Sequence, residues 1–225
     1  MTTDATDGRR VAAAARRRKR EDEILAATRG LFDQRGVSDA QIEDIARAVG
    51  VNRAIVYRHF TGKEEVFALT LVTYLDELRD DLAEASASVA DPEKRLLAIS
   101  DAFAGYGLEH PAFVDCAQSL MRRTGPELQE EISEAAMYRL GQAMTGCLSI
   151  LSAALEEGTQ EGRFAVKDPD MLANTLYAAG LGALQLARVG ILVKEAAPGV
   201  PAVGTVSTDD IRRFVTTTAL ALATA

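Results

Sequence analysis

The chain has 225 residues, of which 48% are hydrophobic and 26% charged, a balance that fits a soluble globular fold with a core large enough to need neither disulfides nor metals. Its net charge of −8, taken as a total, argues against a nucleic-acid binder, which usually presents a basic face. The total is unevenly spread: residues 1–65 hold 13 basic and 11 acidic side chains, residues 66–225 hold 12 and 22, and the stretch 9–20 holds seven basic residues and no acidic one.

Apolar residues recur at helical spacing along nearly the whole chain, and period-two alternation is nowhere sustained, so an all-α fold of about nine helices and no sheet is expected. Residues 1–15, small, polar and basic, read as a disordered arm. A first helix over about Arg16–Gln34 gathers Ile24, Leu25, Thr28, Leu31 and Phe32 on one side and ends at Gly36. A short helix over Ala40–Val49, capped by Ser38 or Asp39, aligns Ile42, Ile45, Ala46 and Val49 at i, i+3, i+4 and i+7. Gly50 breaks it. Asn52 caps the next helix, Arg53–His59, with Val51 and Val56 spaced as a hydrophobic staple. Thr61 and Glu64 form a capping box for a longer helix over Lys63–Ala87, whose core face reads Phe67, Leu71, Tyr74, Leu78, Leu82. Asp91-Pro92 opens a helix to about Leu108, and His110-Pro111 another to about Arg123. Thr124-Gly125-Pro126 starts a long, kinked helix ending near Gly162. Asp168-Pro169 opens a helix through Glu195, a Pro/Gly-rich loop covers 196–207, and a last helix spans Thr208–Ala223.

The punctuation also bounds function. Cys116 and Cys147 predict two buried free thiols rather than a disulfide framework. With two histidines, His59 and His110, and no CxxC or HExxH, no metal site and no cofactor are expected. The most apolar stretch, Leu172–Val193, is interrupted by Asn174, Gln185 and Arg188, so no membrane span is predicted. The N-terminal arginines precede no apolar core and no cleavage site, which leaves the cytoplasm as the expected location. No nucleophile–base–orienter set, phosphate loop or acid pair is visible; no catalytic residues are assigned, and the chain does not read as an enzyme.

Two short helices joined by Val49-Gly50-Val51 form a helix-turn-helix pattern. The first must cross the second closely, which suits the small Ala46. The second presents its N-terminal residues, Asn52, Arg53, Ala54 and Ile55, to a DNA major groove. Arg53 suits bidentate bonding to guanine O6 and N7. Ile55 either lies against a thymine methyl or packs inward. Tyr57, His59 and Lys63 supply polar groups toward the phosphate backbone.

With these residues in view, Ile24–Leu71 resembles the DNA-binding domain of the TetR family of bacterial regulators. The resemblance rests on the runs ILAATRGLFDQRG and IEDIARAVGVNRAIVYRHFTGKEEVF. It implies a three-helix DNA-binding domain at 16–65 and a helical ligand-binding and dimerisation domain at 66–225. It implies phosphate contacts by Gln41, Tyr57, His59 and Lys63, and a base contact by Arg53. The sequence departs from the family pattern at Ala40, where Thr is usual, at Ala54, where Gly is common, and at Ile55, where Thr or Ala is common. The run Glu161–Phe164 followed by Asp168-Pro169-Asp170 looks like the family's junction before its last helix pair. The resemblance therefore implies a homodimer through about 169–195 and 208–223, where Gly180, Gly182, Ala183 and Leu184 allow close helix approach. It also implies an inducer pocket within 91–162 and nearby, with Phe103, Tyr106, Phe113, Met121, Met137, Met144 and Tyr177 pointing inward and Gln118 or His110 as polar anchors. An apolar pocket implies a mostly apolar small-molecule inducer.

The leading expectation is a ligand-responsive regulator, a repressor, binding palindromic double-stranded operator DNA. The alternative is a helical membrane-surface or protein-interaction module without specific DNA binding. The segment Arg9–Arg20 has two readings: an arm that tracks phosphates or enters a minor groove, or a solubilising tail.

Overall fold

The computed structural model describes residues 3–37 and 40–225. Among these, ten helices and one hairpin follow in order: α1 Thr3–Arg35, α2 Ile42–Val49, α3 Arg53–His59, α4 Lys63–Ala87, α5 Pro92–Glu109, α6 Pro111–Met121, α7 Gly125–Glu131, α8 Glu134–Gln160, α9 Pro169–Val189, β1 Ile191–Ala197, β2 Val200–Thr205 and α10 Thr208–Thr224. The chain forms two compact units, Met1–Thr73 with Ser119–Leu140, and Tyr74–Gln118 with Gly141–Ala225. The boundary expected between 65 and 66 falls inside α4.

The fold is helical, as the periodicity implied, but four elements differ from the sequence reading. First, α1 begins at Thr3 rather than near Arg16, so the described part of the 1–15 segment is helix, not disordered arm. Its Ala- and Arg-rich run, AAAARRRKR, consists of strong helix formers. Second, the single helix expected over 125–162 is two. Ile132 is extended (φ −126, ψ 152) and buried, and the Ser133 Oγ accepts from the Ala136 amide at 3.2 Å, restarting the helix as α8. Third, α9 ends at Val189, not Glu195. Gly190 takes a left-handed conformation (φ 70) and donates to the Leu186 carbonyl, and the β-rich run Ile191-Leu192-Val193 then leaves the helix. Fourth, the loop expected at 196–207, which accompanied the expectation of no sheet, is largely strand: β1 and β2 pair antiparallel, Ile191 opposite Thr205 and Val193 opposite Val203. Ser38 and Asp39, the expected caps of α2, lie outside the described residues.

The first unit is centred on Ile24, Phe32, Ile45, Val56 and Phe60, each nearly or fully buried and each stabilising by about 1.5–3 kcal/mol. The Phe32 and Phe67 rings meet edge-on, 4.7 Å apart at 82°. In the second unit, Leu96, Leu155, Phe164, Ala173, Ala219 and Ala223 form one cluster. A second group is aromatic: Phe113 lies 5.4 Å from Tyr106 and 6.4 Å from Phe103. Arg212 of α10 forks onto the Asp101 carboxylate of α5, one arm at 2.8 Å. Gly180 holds α9 against α5, because a Cβ there would sit 2.5 Å from the Phe103 ring. Ala183 and Leu184 are also buried within the chain. Of the four small or apolar residues assigned to close helix approach between subunits, Gly182 is exposed and meets nothing within 4 Å.

Candidate nucleic-acid interface and ligand cavity

The geometry of the helix-turn-helix is set by one residue between its helices. Gly50 is left-handed (φ 73, ψ 30), and its amide donates back to the Ala46 and Arg47 carbonyls; the Val51 amide also donates to the Ala46 carbonyl, at 2.9 Å. This closes α2 and turns the chain into α3. Asn52 caps α3, its Oδ1 accepting from the Ile55 amide at 3.1 Å, which leaves the amide NH2 as a donor. Gln41 is the N-cap of α2, its side chain exposed and not used for capping. Ala40, which replaces the family's usual Thr, is buried.

Val56 and Phe60 anchor α3 inward, while Asn52, Arg53, Ala54, Tyr57 and Arg58 are exposed and Ile55 is half-buried. Arg53 reaches Glu43 of α2 at 3.3 Å, a loose pair with both side chains mostly in solvent. Tyr57 is 53% exposed. The His59 side chain is 12% exposed, with Nδ1 3.4 Å from Glu21 of α1. The Lys63 ammonium sits over the Phe67 ring, 4.9 Å from its centroid. Along α1, the side chains of 10–19 are exposed and that of Arg20 half-buried. Arg17 pairs with Glu21 and Arg20 with Glu23.

The start of α4 carries a polar cluster that sequence reasoning missed. Glu65, not Glu64, caps the helix: it accepts from the Thr61 amide at 2.6 Å and from the Thr61 hydroxyl. The Ser133 hydroxyl donates to its other oxygen at 2.7 Å. Burial alone would raise this carboxyl's pKa; the Thr61 and Ser133 hydrogen bonds outweigh it and hold the pKa below the ordinary 4.5. Glu64 instead meets Arg123 at 3.3 Å, and Arg123 also binds Glu131 and the Ser119 carbonyl. One position along a helix separates the two glutamates, and spacing alone did not choose between them.

The second unit contains a cavity of about 60 Å³ among α4, α5, α8, α9 and α10. Of the nine candidate pocket residues, Phe103 and Tyr177 line it. Burial, with the nearby Cys147 and Cys116, raises the Tyr177 hydroxyl's pKa, so it stays protonated. The other seven candidates have other placements. Tyr106 donates to the Tyr74 carbonyl at 2.9 Å and to Glu77. His110 ends α5, its ring centroid 4.4 Å from that of Tyr106 with the planes tilted by 45°. Phe113 is fully buried in the aromatic group, and Gln118 donates to the Leu181 carbonyl at 3.1 Å. Met121, 54% exposed, and Met137 belong to the first unit. Met144, half-buried, does not border the cavity. The lining that the sequence did not reveal includes Leu78, Leu82, Ser100, Cys147, Leu151 and Phe214. The Cys147 thiol donates to the Leu75 carbonyl, and burial pushes its pKa up to about 12. Both cysteines are free and buried.

Comparison with known proteins places the head. Residues 24–69 match the sequence profile of the bacterial regulatory proteins of the tetR family. This 46-residue segment is a tetR-family domain. The HTH-type transcriptional activator FasR of Mycolicibacterium smegmatis is 31% identical over 91 residues, 40% of this chain and 41% of FasR, so the match spans about two fifths of that relative. The HTH-type transcriptional repressor KstR2 of Rhodococcus jostii is 26% identical over 145 residues, 64% of this chain and 68% of KstR2. Among solved structures, RolR in complex with resorcinol superposes with a TM-score of 0.68 over 93% of this chain and 90% of RolR, at 16% identity. That likeness shows that the helices beyond the matched domain share the fold of RolR.

Proposed function

We propose that this chain, with its tetR-family domain, is a DNA-binding transcription regulator that acts as a homodimer on a two-fold-related operator and is released by a small, mostly apolar inducer. The observation that carries the reading is the outward row of α3, with Arg53, Ala54 and Tyr57 in solvent on a helix locked from behind by Val56 and Phe60. Arg53 reads a base, Ile55 offers its exposed part to a thymine methyl, and Gln41, Asn52, Tyr57 and Lys63 hold phosphates. We assign His59 to tying α3 to α1 rather than to phosphate. The exposed basic length of α1 adds phosphate contacts ahead of the head.

The dimer reading is supported by an exposed stripe on α9, Met171, Thr175, Ala178, Gly182, Leu186 and Val189, spaced by three or four residues as a helix-packing seam requires. It continues into the hairpin, where Val193 and Val203 are 76% and 73% exposed on one face. The RolR ligand, resorcinol, is a small aromatic molecule; the cavity here has an apolar lining, which favours an apolar ligand, but at about 60 Å³ it must enlarge to admit a ring. Relatives include both an activator and a repressor. We take repression as the reading because release by inducer then needs no contact with polymerase.

The test is a pair of substitutions on DNA selected by the protein itself from genomic fragments. Lys63→Ala lowers affinity for all sequences and reduces the salt slope by about 1. Arg53→Ala relaxes preference at its base pair by about 1–3 kcal/mol. Unchanged DNA affinity in both variants contradicts the assignment.

A further inference from the structure

The hairpin of β1 and β2 grows from the end of α9 and stands out from the second unit. Among the described residues, the adjoining end of α9 is its one substantial neighbour. Its two faces differ. On the inner face Leu192, Ala202 and Gly204 are half-buried. The outer face carries Ile191, Val193, Val203 and Thr205, all exposed, with Val193 opposite Val203. Both charged side chains of the hairpin turn away from that face. Glu195 accepts from the Gly199 amide of the hairpin's own turn at 2.7 Å. Lys194 lies along the inner face across Gly204, where a Cβ would stand 3.0 Å from its Cε. The outer face is left β-branched and uncharged.

A two-stranded hairpin with little packed on it is marginally stable in water, and an exposed apolar face marks a surface that something else covers. The chemistry of the face narrows the occupant. Without a cation it has no attraction for nucleic-acid phosphates. Without an aromatic or basic residue it lacks the anchors of a membrane-surface element. It is continuous with the exposed α9 seam through Leu186, Val189 and Ile191, so the surface that meets the seam also reaches the hairpin. We propose that the hairpin is a dimerisation arm: its outer face lies against the second copy, and that cover, rather than the chain's own core, keeps it folded. The inference rests on the dimer reading above, and two-fold pairing gives each copy's arm the same place on the other. Folding of 191–205 and pairing of the copies are then linked, each favouring the other.

The experiment uses the full chain. Sedimentation over a dilution series gives the dimer dissociation constant, and hydrogen exchange read by mass spectrometry gives the protection of 191–205. Val203→Asp puts a charge on the outer face and is expected to weaken the dimer at least about tenfold. Lys194→Asp puts the same side chain on the inner face, with a larger change of charge, and is expected to leave the constant within about twofold. If Val203→Asp misfolds the hairpin, Val203→Thr keeps the β-branched shape and is expected to weaken the dimer about threefold; an unchanged constant there overturns the inference. In the wild type, the hairpin amides exchange slowly in the dimer and fast in the diluted monomer, while those of α5 stay protected in both. A wild-type dimer whose hairpin exchanges as fast as the monomer's, or whose constant is unchanged in Val203→Asp, overturns the inference and leaves the dimer reading standing. Equal weakening by Val203→Asp and Lys194→Asp overturns it too, because the contact then has no face. A wild type that is monomeric at every concentration overturns the dimer reading, and the arm with it.

Discussion

The head and the α9–hairpin region both leave a row of side chains in solvent, but the rows differ in chemistry. On α3 the exposed residues are Arg53, Tyr57 and Arg58 around two small or half-buried ones; on α9 and the hairpin they are Met171, Leu186, Val189, Val193 and Val203. A polar and cationic row loses little in water and gains against a polyanion, where displaced counterions drive binding. An exposed apolar row of this length is costly unless another surface covers it. The difference explains how a chain of net charge −8 is suited to DNA: the charge that opposes phosphates lies outside the reading head.

The comparison can be broken first at the turn that aims α3. Gly50→Val forces a β-branched residue into a left-handed backbone at a cost of about 1–3 kcal/mol. Urea unfolding should show that loss, and DNA binding should fall with it; full binding by this variant would mean that the turn does not position the row.

Glu65→Ala removes the acceptor of Thr61 and Ser133 and should cost about 1–3 kcal/mol. Because the folded carboxyl has a pKa below its ordinary 4.5, its stabilisation is present above about pH 4.5 and is lost as pH falls through the lowered value. The variant's stability should therefore depend less steeply on pH at the acid end. An identical acid limb in both proteins contradicts the role given to Glu65.

On the apolar side, Cys147 should resist alkylation by iodoacetamide in the folded chain near neutral pH, since its pKa of about 12 leaves little thiolate. Rapid labelling would show that the cavity opens far more often than its packing implies. The smallest effect concerns Gln185, whose Oε1 is buried and accepts no hydrogen bond among the described residues. Gln185→Leu should leave thermal stability unchanged or raise it by about 1 kcal/mol.

What the sequence disclosed about the fold came from residues acting on their own backbone. Gly50, Asn52, Asp91-Pro92 and Asp168-Pro169 each set a helix end within a few residues, so their meaning is local and readable. The hairpin was hidden because Ile191-Leu192-Val193 continues an apolar helical run as well as it starts a strand, and only the backbone of Gly190 decides between them. The cavity was hidden for a different reason. Leu78, Leu82 and Phe103 carry the same helical spacing whether they face a void or a packed neighbour, and Phe113 and Tyr106 met the second fate. The charged cluster at α4 joins residues about seventy positions apart, Glu65 and Ser133, a pairing no local pattern encodes.

The most direct test of the account is a hydroxyl-radical footprint of the full-length protein on the DNA flanking its own gene. Two protected half-sites related by two-fold symmetry and centred a whole number of helical turns, about 10 bp each, apart are expected, with Arg53→Ala needing a higher protein concentration for the same protection. A single asymmetric protected stretch, or protection by Arg53→Ala at the same concentration as the wild type, would contradict the account.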